Sequence, residues 1–247
     1  MAVRSELETR PLGELDGVLP PNEVHVWHTE LVIPKNGVAA LLELLAPDER
    51  DRASRFKLES PRNEFIITRA FLRLTLSRYV NIEARELQFR TTANGKPELT
   101  KDSSVQFNLS HSAAIAVLAI TRDRRVGVDV ERIRENVDAI DLADRFFSPQ
   151  EFEWLRSRPA PELIPSFFSC WTRKEAYVKA SGEGLSIPLA GFRVMSLPGS
   201  PRLRLEVYNN PEESRRWSMW QLELGPDLRG ALAVEGEDCR VRLGRWP

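Results

Sequence analysis

Apolar residues recur along the chain with two periods, and the switches between them outline the elements. Residues 23–33 alternate loosely, with Val24 and Val26 on one side, which predicts a strand. Residues 38–56 and 63–80 carry apolar positions at helical spacing, punctuated by Pro47 and Pro61. β-type sequence follows: residues 87–91 lead into the turn Asn94-Gly95-Lys96-Pro97, after which Val105, Phe107 and Leu109 alternate with polar residues. Residues 113–121 and 126–133 read as the two strands of a hairpin, joined by the charged turn 122–125. Ser148-Pro149-Gln150-Glu151 combines an N-cap serine, a proline at the first helical position and a glutamate spaced for a capping box, so a helix opens there. Residues 163–181 form a longer helix closed by Gly182 and Gly184, and residues 192–243 read mostly as strands.

Laid on itself with an offset of about 102 residues, the chain repeats this order. Strand 24–30 falls on 126–132, Ala46-Pro47-Asp48-Glu49 on Ser148-Pro149-Gln150-Glu151, and the helix near Ala70 on that near Thr172. The expected fold class is α+β, a pseudo-dimer of two similar α+β halves with the active site in the cleft between them. The halves span residues 1–125, including an N-terminal arm 1–21 of unassigned role, and 126–247.

The length of 247 residues suffices for a sizeable core. Lys and Arg total 35 against 36 Asp and Glu, so no global basic field exists to collect nucleic acid or an anionic membrane, and phosphates must be met by a local patch. No apolar run reaches the ~18 residues that a membrane span needs. The two cysteines, Cys170 and Cys239, cannot form a disulfide framework, and the first 21 residues lack the apolar centre of a secretory signal. These features predict a cytoplasmic protein.

Four segments could carry chemistry. In Val126-Gly127-Val128-Asp129-Val130-Glu131 the valines face the core, while Asp129 and Glu131 project from the other face about 7 Å apart, with Gly127 leaving the backbone accessible beside them. Such a pair suits a hard cation such as Mg²⁺, although the hexapeptide alone favours an amphipathic edge strand with solvated acids. Trp171, Glu175 and Lys179 lie one helical turn apart on a helix made mostly apolar by Phe167, Phe168, Ala176, Tyr177 and Val178, a setting in which a charged pair is more than a surface contact. Asn108-Leu109-Ser110-His111-Ser112 ends a strand in small polar residues around one of three histidines, whose role is structural or functional, and Gly95-Lys96-Pro97 sits one strand earlier. Arg62, Arg69 and Arg73 share a helical face, with Arg50, Arg52, Arg55 and Lys57 just before it; the stripe is a solvated face or a phosphate clamp.

In order and spacing, Gly95-Lys96-Pro97, Asn108 to Ser112, Gly127 to Glu131 and Trp171-Thr172-Arg173-Lys174-Glu175-Ala176-Tyr177-Val178-Lys179 resemble the motifs of the 4'-phosphopantetheinyl transferases of the large, Sfp-like type. Residues 146–148 and 182–186 look like the stretches that flank the family's helix motif. The resemblance covers roughly residues 45–189; the arm and the tail after Phe192 are unmatched, and the basic segment carries arginines where some relatives use lysines.

The resemblance implies a Mg²⁺-dependent transfer of 4'-phosphopantetheine from coenzyme A to a serine hydroxyl of an apo acyl or peptidyl carrier protein, as used in fatty-acid, polyketide or nonribosomal-peptide synthesis. It implies Asp129, Glu131 and Glu175 as metal ligands, Glu175 as general base and Lys179 as the group that neutralises charge on the bridging oxygen. Arg52, Arg55, Arg62, Gly95, Lys96, Pro97, Ser110, His111 and Lys179 would bind the coenzyme. The uniform offset places Trp27 opposite Asp129 and Arg73 opposite Glu175, and one chain holding both halves implies a monomer. Two other functions use the same residues: a metal-dependent phosphoester hydrolase, which would consume coenzyme A without a carrier, and a non-catalytic coenzyme A-binding protein.

Overall fold

The computed structural model describes residues 7–9, 19–32, 35–101 and 104–246. Most of the N-terminal arm, and Ile33 at the end of the first predicted strand, lie outside the described residues. The chain forms, in order, β1 (Leu7–Thr9), β2 (Glu23–Glu30), α1 (Lys35–Leu42), α2 (Pro47–Ser54), α3 (Glu59–Val80), β3 (Phe89–Thr91), β4 (Pro97–Leu99), β5 (Val105–Ser112), β6 (Ile115–Arg122) and β7 (Val126–Arg132). It continues with α4 (Ala139–Phe146), α5 (Pro149–Arg156), α6 (Ala160–Ser181), β8 (Phe192–Ser196), β9 (Arg202–Val207), α7 (Pro211–Arg216), β10 (Trp217–Leu222), β11 (Leu228–Glu235) and β12 (Arg240–Arg245).

Two five-stranded sheets, β1-β12-β2-β6-β5 and β7-β11-β10-β9-β8, share one apolar layer. Val24 and Val26 of β2 meet Val126, Val128 and Val130 of β7 there, with Leu232, Val234, Val241 and Leu243 completing the cluster. Alternation sends the intervening residues outward. On the first sheet Trp27, Phe107 and Leu118 pack under Phe71, Leu72 and Leu76 of α3, and on the second Met219 and Ala231 pack under Ala176 and Tyr177 of α6. The fold is therefore α+β, built from two similar halves. β12 follows the last strand of the second sheet but pairs in parallel with β1 and β2, so the C-terminal strand lies in the first sheet.

The expected hairpin of 113–121 with 126–133 does not form. β6 pairs with β2 on one side and β5 on the other, which leaves no free edge for β7, and β7 pairs with β11 instead. The charged turn carries the chain between sheets, with Asp123 at φ 54° and Thr121 Oγ1 donating to the Arg124 carbonyl at 2.6 Å. Ala113, read as the first residue of a strand, sits in the β5–β6 turn at φ 50°.

The repeat holds with one slip. α2 and α5 are related by 102 residues, but α3 and α6, each of 22 residues, are related by 101. The cause is a connection one residue longer between α2 and α3 than between α5 and α6. Arg73 consequently lies opposite Lys174, not Glu175. Both are buried and do the same thing. Arg73 Nε donates to Glu49 Oε2 at 2.7 Å and Arg73 Nη1 to the carbonyls of Ala84 and Leu87; Lys174 Nζ lies 2.7 Å from Glu151 Oε2 and donates to the carbonyls of Leu189 and Phe192. Glu49 and Glu151 each accept from a backbone N–H at the start of their own short helix, from Ala46 and Ser148. Each half thus ties its helix pair to the chain beyond the long helix through one buried ion pair with its remaining hydrogen bonds satisfied.

Candidate active site

β7 is the edge of the second sheet, and the polar residues of β5 close that edge. Asn108 Oδ1 accepts from Val128 N at 2.8 Å, Ser110 Oγ from Val130 N at 3.4 Å and Ser112 Oγ from Arg132 N at 3.1 Å. Side chains at every second position of one strand thereby replace the missing backbone ladder of another. On its other flank β7 meets α6 at Gly127, where a Cβ would stand 2.2 Å from the Ala176 carbonyl oxygen and 2.3 Å from Ala180 N. The expectation that Gly127 leaves its backbone accessible is wrong: it is buried beneath α6, and its missing side chain sets how closely the helix approaches.

This approach brings the acids together with the helix. Asp129 is 4% exposed; its Oδ1 accepts from Lys179 Nζ at 2.6 Å and from Ser110 Oγ at 2.9 Å, while its Oδ2 is buried with no hydrogen-bond partner. Burial raises its pKa, against the opposing pull of Lys179 and Ser110. Lys179 Nζ also donates to Ser110 Oγ at 3.1 Å. Glu131 is half-buried and accepts from Ser112 Oγ at 2.6 Å, with Arg134 Nη2 3.7 Å away. Glu175 has no hydrogen-bond or ion-pair partner among the described residues, and burial, then the charges of Asp129 and Glu131, raise its pKa.

Glu175 and Lys179 open on a cleft of ≈ 290 Å³ whose lining includes Asn94, Gly95, Lys96, Pro97, Asn108 and Gly182. Gly95 supplies the left-handed φ of 83° that the turn requires. Lys96 is a latch across the halves: its Nζ donates to the carbonyls of Val126 at 2.9 Å and Lys179 at 3.3 Å, while Asn94 Nδ2 donates to the Gly182 carbonyl at 2.7 Å. Burial lowers the Lys96 pKa to about 8.

The basic stripe divides. Arg50 is engaged by the carbonyls of Leu45 and Glu43, and Arg69 and Arg73 both bind Glu49, which burial would push up but which these guanidiniums hold below its ordinary pKa. Arg69 and Arg73 are structural because the buried capping glutamate needs cations, and Arg50 is structural because it ties down the connection between α1 and α2. Arg52 and Arg55 are exposed, Arg62 is half-buried with Nε unpartnered, and none of them forms an ion pair among the described residues. Arg52 lies 5.0 Å over the Phe65 ring. His111 is exposed on β5, at alternate positions from Ser110 and therefore on the opposite face from Asp129. Asn94, Asn108 and Ser112 were not expected as individual site residues; the polar alternation of the Asn-x-Ser-x-Ser run is the signal that points to the last two.

Asp129, Glu131 and Glu175 offer hard oxygen donors of the kind that hold Mg²⁺. Among the described residues no group of three His, Cys, Asp or Glu closes around one point. Asp129 Oδ2, buried and without a donor although Lys179 holds the other oxygen, and the unpartnered Glu175 nevertheless fit a cation, because each leaves buried carboxylate oxygen unsatisfied.

Two family descriptions match the chain: "4'-phosphopantetheinyl transferase superfamily" over residues 125–234 and "4'-phosphopantetheinyl transferase, N-terminal" over residues 34–123. The 4'-phosphopantetheinyl transferase HetI of Nostoc sp. is 35% identical over 226 residues, covering 88% of this chain and 92% of that protein. The 4'-phosphopantetheinyl transferase Sfp of Bacillus subtilis is 28% identical over 153 residues, 62% of this chain and 67% of that one. Among solved structures, the Thermotoga maritima holo-[acyl-carrier-protein] synthase superposes with a TM-score of 0.37 at 21% identity, over 45% of this chain and 62% of that one, a likeness too slight to bear on the site.

Proposed function

The chain belongs to the 4'-phosphopantetheinyl transferase superfamily, and from that premise we propose that it transfers 4'-phosphopantetheine from coenzyme A to a serine hydroxyl of an apo carrier protein, releasing adenosine 3',5'-bisphosphate. The observation that carries this reading is the convergence of Asp129, Glu175 and Lys179 beside a cleft walled by both halves. The acceptor is an acyl carrier protein or a carrier domain of a polyketide or nonribosomal peptide synthase.

Asp129 through its free Oδ2, with Glu131 and Glu175, would hold Mg²⁺, which when bound supplies positive charge against the coenzyme's pyrophosphate. Glu175, which no protein donor engages among the described residues, takes the proton of the attacking serine hydroxyl. Lys179, oriented by Asp129 and Ser110, places its ammonium where charge develops on the departing bridging oxygen. Arg52, Arg55, Arg62 and His111 are the groups left free to meet the coenzyme's phosphates. Lys96 acts on geometry, holding the Gly95 turn against α6.

Each chain supplies both walls of the cleft, which favours action as a monomer. No helix among the described residues is long and apolar enough to cross a membrane, and both cysteines are free and buried, which favours a reducing, cytoplasmic setting. The test is incubation with coenzyme A, Mg²⁺ and a panel of apo carriers, read by intact mass. Gain of one phosphopantetheine on a carrier, dependent on Mg²⁺ and absent with Asp129→Ala, is the expected result. Loss of coenzyme A with no carrier modified would replace it by hydrolysis.

A further inference from the structure

A second cavity, of ≈ 640 Å³, lies on the other flank of α6, lined by Ser169, Arg173, Gln221, Glu223, Leu228 and Arg229 among others. Its volume is within the range of small-molecule sites. Arg173 sits two residues before Glu175 on α6, and Arg229 is the β11 partner of Glu131 on β7, so the cavity shares its framework with the catalytic cleft but none of that cleft's lining residues.

Arg173 is 9% exposed, yet it forms no ion pair among the described residues. Its Nε donates to Gln221 Oε1 at 3.0 Å, and Gln221 Nε2 in turn donates to the Gly230 carbonyl at 2.7 Å. That second bond fixes the amide so that its oxygen faces the guanidinium. Both Nη groups of Arg173, the edge that makes forked bonds to an oxyanion, are left without a protein acceptor. Arg229 adds a second cation, anchored only through Nη1 on the carbonyls of Pro226 and Leu228. The sole acid in the lining, Glu223, is exposed at the rim and pairs with neither arginine. Burial lowers the Arg173 pKa and Arg229 adds to that, against an opposing pull from Cys170 and from Glu151, whose carboxylate is itself paired with Lys174, so neither cation has an anion in direct contact among the described residues.

We propose that this cavity is a binding site for a small phosphate monoester, its phosphate held by the Arg173 Nη edge with Arg229 as the second cation. Gln221 is the positioning residue. The site is independent of the transfer reaction, and its test is arranged so that the cleft cannot answer for it.

Without coenzyme A, whose own 3'-phosphate is a monoester, inorganic phosphate and glycerol phosphate are titrated in turn by calorimetry at fixed ionic strength, against wild type, Arg173→Met and Arg229→Gln, changes at two residues that do not line the cleft. Wild type should bind, and each variant should bind at least about tenfold more weakly, as loss of a charge-assisted contact implies. Tighter binding of the ester than of free phosphate supports the monoester; equal affinity, or tighter binding of free phosphate, overturns that assignment. Thermal melts without phosphate guard against misfolding: Arg173→Met should melt no lower than wild type, because it removes an unpaired buried charge. Binding of equal strength in wild type and both folded variants, or no binding by wild type, overturns the site. Should Arg173→Met fail to fold, Arg229→Gln decides alone, since Arg229 is only half-buried.

Discussion

Gly127→Ala tests most directly how the site is assembled. The added methyl would lie 2.2 Å from the Ala176 carbonyl oxygen and 2.3 Å from Ala180 N, both backbone atoms of α6, which no rotamer change can move. To restore an ordinary contact of at least 3.4 Å, helix and strand must part by more than 1 Å. Overpacking of this kind costs about 1–3 kcal/mol, or roughly 2–12 °C in Tm for a chain of this size. The kinetic effect should be larger. Lys179 and Asp129 meet at 2.6 Å across this contact, and a misplacement of about 1 Å between catalytic groups can cost on the order of 10²-fold in rate. The assays are a thermal melt followed by circular dichroism and carrier loading followed by intact mass. Gly191→Ala is the control, because a Cβ there meets only Pro188 Cγ at 3.4 Å. A folded Gly127→Ala variant that loads carrier at the wild-type rate would refute the claim that this approach sets the geometry.

Three further outcomes are expected. Glu175→Gln should load carriers orders of magnitude more slowly with an unchanged melt, and a folded variant that kept the wild-type rate would remove Glu175 as the base. Lys174→Met should destabilise by roughly 3–5 kcal/mol by leaving Glu151 buried and unpaired, and Glu151→Gln added to it should recover much of that in denaturant titrations. Burial lowers the pKa of His25 from 6.5, so the native state binds fewer protons than the unfolded one; the contribution is fully present above pH 6.5 and declines as pH falls below it, and a stability profile of His25→Gln that declined as steeply would contradict the assignment.

Local signals carried the motifs, and non-local partners decided their roles. The valines and acids of β7 were legible because strand alternation is intrinsic to the backbone. That β7 leaves its apparent hairpin was not, since the apolar run of β6 reads alike whether one edge is free or both are paired. Glu175 and Lys179 were legible from helical spacing. The fate of the arginine stripe was not, because Glu49, 20 and 24 residues before Arg69 and Arg73, neutralises them in three dimensions while Arg52 and Arg55 stay free. Asn108, Ser110 and Ser112 showed only a polar strand face; that this face substitutes for a hydrogen-bonding ladder depends on a strand from the other half.

The two halves explain why the candidate site arises in one of them and not in both. Val24 and Val26 correspond to Val126 and Val128 in the shared apolar layer, so Trp27 stands where the second half has Asp129, and His25 where it has Gly127. With the slip of one residue in the long helices, Tyr79 corresponds to Ala180 and Leu74 to Glu175. In the first half the space between strand and helix is filled: the Trp27 indole donates to the Tyr79 hydroxyl at 2.7 Å, and His25 Nδ1 lies 2.8 Å from the same oxygen. In the second half Gly127 and Ala180 stand at the positions of His25 and Tyr79, and with Ala176 they let the helix settle directly onto the strand. Asp129 then has room to take Lys179, and Glu175 is brought toward the cleft edge without a partner. The buried pairs Glu49–Arg73 and Glu151–Lys174 are kept on both sides because both halves must hold their helices. Bulk at His25, Trp27 and Tyr79 makes one half a wall, and the smaller Gly127, Asp129 and Ala180 at the matching positions leave room for the candidate site in the other.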